Sequence, residues 1–114
     1  MAYNTQLDER LQALAADWPH LERKKMFGGV GYLSRGNMVA GVSQDSLLLR
    51  ASEAMRDDLL RQPWCQQMEM GGRLMKGWLF VSPEGWNDPV LMADLVAQAK
   101  AYVDTMPTKT SKKG

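Results

Sequence analysis

The stretch Met26-Phe27-Gly28-Gly29-Val30-Gly31-Tyr32-Leu33 sets the tightest limit on how this chain folds. Three glycines in four positions leave the backbone bare directly after a bulky pair, Met26 and Phe27, that seeks a core. Glycine reaches backbone angles closed to other residues and lets a neighbouring strand approach closely. From Val30 to Leu33 the residues alternate as a half-buried strand does. Ser34-Arg35-Gly36-Asn37 then carries a turn signal, and Met38-Val39-Ala40-Gly41-Val42 is a second apolar run. The stretch predicts a hairpin.

The segments on either side predict what packs against it. Leu7, Leu11, Leu14 and Trp18 form one apolar stripe on a helix, with Thr5 as its N-cap, Asp8 three residues on, and Pro19 as its stop. Glu22-Arg23-Lys24-Lys25 leads into the strand that begins at Met26. After the turn Ser43-Gln44-Asp45-Ser46, Leu47 to Arg50 reads as a third strand of an antiparallel meander. Ser52 caps a short helix, Glu53 to Arg61. Gln67 to Met70 and Leu74 to Ser82 are strands joined by Gly71-Gly72, a strongly favoured hairpin turn. Pro83 to Trp86 reads as a loop. Asp88 caps a last helix with Pro89 in its first position and Leu91, Leu95, Ala99 and Tyr102 as its stripe. The order is α-β-β-β-α-β-β-α: an α+β class, two-layer, with helices packed on an antiparallel five-stranded sheet. Residues 1–106 are expected to form one domain and residues 107–114 a disordered basic tail.

Composition removes several function classes. A chain of 114 residues buries enough surface to fold without disulfides or metals. Its single cysteine, Cys65, forms no internal disulfide and favours a reducing compartment. With no export signal and no run near the ~20 apolar residues of a membrane span, the expected location is cytoplasmic, with no membrane partner. A zinc site needs four Cys or His ligands, and Cys65 and His20 are the only two such residues. As a thiol–imidazole pair they lack a recognisable nucleophile turn. The glycine cluster is followed by a strand and has no Gly-Lys-Ser/Thr, so a packing or bulge role suits it better than phosphate cradling. No cofactor and no catalytic residue is expected.

Two features point outward. Arg23, Lys24 and Lys25 precede the glycines, and Arg73 and Lys76 flank Leu74-Met75; if their strands lie together, the five form one anion patch, and otherwise they are solvated strand ends. Net charge is +1, but Lys109, Lys112 and Lys113 carry the surplus and residues 1–106 are slightly acidic, which argues against a broad nucleic-acid surface. Met68, Met70 and Met75 gather round one hairpin near Trp64 and Trp78, as either core filler or a protein-binding surface.

The sequence resembles the TfoX N-terminal domain family, which is related to bacterial regulators of natural competence. The likeness rests on Lys24-Lys25-Met26-Phe27-Gly28-Gly29-Val30-Gly31-Tyr32, the Gly36-Asn37-Met38 turn, and Gly72-Arg73-Leu74-Met75-Lys76-Gly77-Trp78 with Val81-Ser82-Pro83-Glu84. In order and spacing it covers roughly Leu7 to Tyr102. The resemblance implies a two-layer fold like that of secretion chaperones. It also implies a non-enzymatic regulatory module whose partner is another protein or a second copy of itself. Full-length competence regulators carry a second domain and act in transcription; a chain ending at Gly114 is expected to be a single-domain member. The family pattern brings no catalytic residue and no cofactor, and its motif positions here are Met26, Phe27, Gly28, Gly29, Gly31, Gly72, Gly77 and Trp78. The alternative function is a small-anion or nucleic-acid binding domain using Arg23, Lys24, Lys25, Arg73 and Lys76.

Overall fold

Gly28, at φ +76, turns the chain between two strands: β1, Leu21–Met26, and β2, Gly29–Ser34. The computed structural model describes residues 3–26 and 28–107, and Phe27 and residues 108–114 of the expected tail lie outside them. The side chain of Met26 is likewise not among those described, so its expected entry into the core is left there. Among the described residues the sheet has six strands where five were expected. The extra one is β1, whose Glu22 to Lys25 read in the sequence as the approach to a strand beginning at Met26. It pairs antiparallel with β2 from Leu21↔Ser34 to Met26↔Gly29. An edge strand needs only one neighbour, and Glu22 to Lys25 stay exposed, so no apolar alternation announces it.

The meander continues through β3, Asn37–Ser43, and β4, Ser46–Arg50. Beyond α2, Glu53–Leu59, the hairpin of β5, Cys65–Met70, and β6, Arg73–Val81, joins with β6 innermost, giving the order β1-β2-β3-β4-β6-β5. Both residues of its turn, Gly71 and Gly72, take the left-handed angles that a two-residue hairpin loop demands.

Two helices cover one face. Helix α1, Thr5–Ala15, is capped by Asn4 rather than Thr5: the Asn4 carboxamide accepts from Leu7 N at 2.9 Å. The loop between β3 and β4 holds that cap, since Asn4 N donates to Gln44 O at 2.7 Å and its side chain to Asp45 at 3.1 Å. Pro83–Trp86, expected as a loop, is the one-turn helix α3, which buries Trp86 and lets its indole N–H donate to Asp45 O at 2.8 Å. Helix α4, Pro89–Val103, starts on Asp88, which accepts from Val90 N and Leu91 N. Its Met92, Leu95, Ala99 and Val103 close over Val30, Tyr32, Val42, Leu47, Leu49, Leu79 and Val81, together with Leu7 and Leu11 of α1. Val39 and Ala40 both join this core, because the β2–β3 register slips between Tyr32 and Leu33 and gives β3 an extra residue there.

Candidate functional site

Among the described residues, the other face of the sheet carries no helix. Cross-strand pairing puts Lys24, Gly31, Gly41, Leu48, Phe80 and Gln66 in one row across all six strands, on the side away from Val30, Val42 and Leu47. The middle of that row is bare backbone. A Cβ on Gly41 would stand 2.6 Å from Val30 O and 3.0 Å from Met38 Cε, and one on Gly29 would stand 2.1 Å from Val42 O. These two glycines let β2 and β3 close on each other; Gly29 lines the floor of a groove, and the end of the Met38 side chain lies over Gly41.

An irregularity in β6 raises its wall. Gln67 pairs with Leu79 but Glu69 with Leu74, so β6 carries extra residues over Met75 to Trp78. Gln67 holds the bulge by donating from its side-chain amide to Met75 O at 2.7 Å and Trp78 O at 3.0 Å, while Ala51 N binds Gly77 O at 2.9 Å. A bulge re-aims side chains. Here Met75 and Trp78, which strict alternation would place on opposite faces, both line the same groove with Met38, Leu48, Met68 and Phe80. Its volume is about 210 Å³, and among the described residues no ionisable side chain lines it. Met75 is 37% exposed and its neighbour Leu74 61%.

The five basic positions fall in two places. Arg23, Lys24 and Lys25 are on β1, at one edge; Arg73 and Lys76 are on β6, with β2, β3 and β4 between. Four strand spacings amount to roughly 19 Å along the sheet, so the fold does not gather them into one cluster. Arg23 is further occupied. Its guanidinium meets the buried Asp8 carboxylate at 2.5 Å, the Tyr32 hydroxyl at 3.0 Å and the Tyr3 hydroxyl at 3.1 Å. Tyr32 donates to the other Asp8 oxygen at 2.5 Å. Donation to Asp8 and Tyr32 pushes the Arg23 pKa up further; burial, then donation to Asp8, raises the Tyr32 phenol to about 12. Lys24, Lys25, Arg73 and Lys76 are exposed and make no ion pair among the described residues.

The motif positions separate by role. Gly28 and Gly72 serve turns, Gly29 serves close approach, and Gly31 pairs with Gly41. Gly77 sits inside the bulge, where a Cβ would meet nothing within 4 Å; nothing in the structure explains why it is glycine. Trp64, grouped with the methionines on sequence, instead packs on the helix side against Gly85, whose added Cβ would come within 2.6 Å of its ring. Sequence reasoning missed Asp8, read as a helix-start charge, and it missed Gln67, Met38 and Arg50. Arg50 pairs with Trp78 across β4 and β6 and stacks over its ring at 5.4 Å. The one signal for Gln67 was a polar residue amid the methionines of an otherwise apolar hairpin.

Cys65 and His20 do not form a catalytic pair. Cys65 is buried on β5, at one edge of the sheet, and burial pushes its thiol up to about 11. His20 precedes β1, at the other edge. Among the described residues no group of three or more His, Cys, Asp or Glu could hold a metal ion, and no helix is long and apolar enough to cross a membrane.

The arrangement defines an α+β domain with one helix-covered sheet face and one open, grooved face. Residues 12–102 match the model of the TfoX N-terminal domain, and the chain belongs to that family. It is not a known enzyme family. Comparison with curated proteins returns no match.

Proposed function

We propose that this chain is a non-catalytic regulatory module that docks another protein on the open face of its sheet. One observation carries the reading: the groove is walled by Met38, Leu48, Met68, Met75, Trp78 and Phe80 and, among the described residues, holds no group able to move a proton near neutral pH. Adaptable methionines beside aromatics are the composition of protein-binding surfaces. Family membership agrees with a regulatory role. Transcriptional control, as in the competence regulators, is the setting this reading favours.

A photo-crosslinking residue placed at Met75 tests it in living bacterial cells. The expected result is one or more discrete protein adducts, absent when the same residue replaces Val90 on the outer surface of α4. Equal labelling at both positions, or none at Met75, overturns it.

A further inference from the structure

The groove's charges say what kind of segment it takes. Resting on the docking reading above, we infer that it binds a short acidic peptide segment presenting one or two large apolar side chains. Size comes first. A void of about 150 Å³ in a protein core accepts a benzene-sized group. The groove, at about 210 Å³, therefore has room for one large side chain and part of a second. Met38, Leu48, Met68, Met75 and Phe80 offer such a side chain apolar contact, and Ser43 is a polar residue of the lining.

Charge comes second. On β1, Lys24 pairs with Gly31, two residues along β2 from Gly29 of the groove lining; on β4, Arg50 lies against Trp78. Arg73 and Lys76 bracket Met75 along β6. Lys24, Arg50, Arg73 and Lys76 make no ion pair among the described residues. Glu22, paired with Leu33, and Glu69, paired with Leu74, are the acids of these edge strands. The cations outnumber them, and two of them adjoin the lining directly: Arg50 stacks over Trp78, and Lys76 follows Met75. Acidic residues flanking the apolar anchor meet these cations, which steers encounter and fixes direction along the groove.

The same charges weigh against the other occupants. Two copies meeting face to face would bring one cationic rim against another. A nucleic acid would find phosphate partners at the rim, but Trp78 is already stacked by Arg50, and methionine walls offer a base no hydrogen bond.

Panning a phage-displayed random dodecapeptide library on the full chain tests the inference, with the winning peptides resynthesised and titrated. Enrichment of Asp and Glu around one or two Leu, Met or Phe residues is expected. Met75→Glu should weaken the winners at least about tenfold and Lys24→Glu about threefold, with Val90→Glu without effect and circular dichroism unchanged in all three. Affinity should also fall as salt rises. Winners that bind but lack acidic residues, or ignore Met75→Glu, overturn this inference while leaving the docking reading intact. A groove-dependent dimer seen by sedimentation, or Met75-dependent binding of oligo-dT in preference to peptide, overturns it as well. No winners at all also overturns it, and the crosslinking at Met75 then decides the docking reading separately.

Discussion

Asp8 holds the Tyr32 hydroxyl and the Arg23 guanidinium together at the point where edge strand β1 meets helix α1. The cluster is costly to break from one side. Asp8→Ala would leave the buried Tyr32 hydroxyl only the Asp8 backbone carbonyl at 3.4 Å and Arg23 no counter-ion, and should cost about 3 kcal/mol in urea unfolding. Alkali attacks the same cluster. The Tyr32 phenol titrates near 12 in the folded chain and near 10 when unfolded, so the folded form binds the proton more tightly. Its stabilisation is complete below pH 10 and is lost as pH rises toward 12, a fall of about 2–3 kcal/mol. Cys65 adds a slope of the same sign, starting lower, between 9 and about 11. Unfolding free energy followed from pH 8 to 12 should thus decline in two stages. Cys65→Ala should remove the earlier one and Tyr32→Phe the later; a Tyr32→Phe variant with an unchanged alkaline slope would contradict the assignment.

At the scale of elements, the glycines of β2 and β6 make opposite demands. Gly29→Ala puts a Cβ against Val42 O, which belongs to backbone and cannot swing away. Prying β2 from β3 should cost about 2–3 kcal/mol and disturb the groove floor. Gly77→Ala meets open space at an ordinary φ and should change stability by no more than about 0.5 kcal/mol in either direction. Thermal or urea melts of the two variants side by side check the contrast. The same elements show how far the chain could be read unaided. Hairpins marked by Arg35-Gly36 and Gly71-Gly72, and helices marked by Ser52 and Asp88, were legible because turn and cap chemistry is local. Strand β1 was not, because an exposed edge writes charge rather than alternation. The β6 bulge was not either: it depends on the Gln67 side chain reaching two carbonyls of the neighbouring strand, and no spacing within β6 records that. Hence Met75 and Trp78 were visible as a cluster of adaptable, bulky residues, while their convergence on one groove was not.

Across the whole molecule, stability is distributed unevenly, and the groove sits where it changes. Strands β2, β3 and β4 have neighbours on both sides and the core of α1 and α4 on one face. The β5–β6 hairpin continues past that cover: residues 71–77 are all exposed, and β5 has a partner strand on one side alone. Few buried apolar contacts and solvent-exposed backbone bonds mark the segments that open first. Amide hydrogen exchange should therefore be slowest in β2, β3 and α4 and fastest, among paired strand residues, at the hairpin end from Glu69 to Met75. Gln67→Ala should speed exchange there by about tenfold, the loss of one to two hydrogen bonds, while leaving β2 and β3 unchanged. A hairpin end protected as well as β3 would mean that the wall of the groove is as rigid as its floor. The proposed site instead joins a fixed glycine floor, set by β2 and β3, to a wall that can open locally while the helix-backed half stays folded. Such a division lets methionine side chains adjust to an incoming apolar anchor without cost to the core beneath.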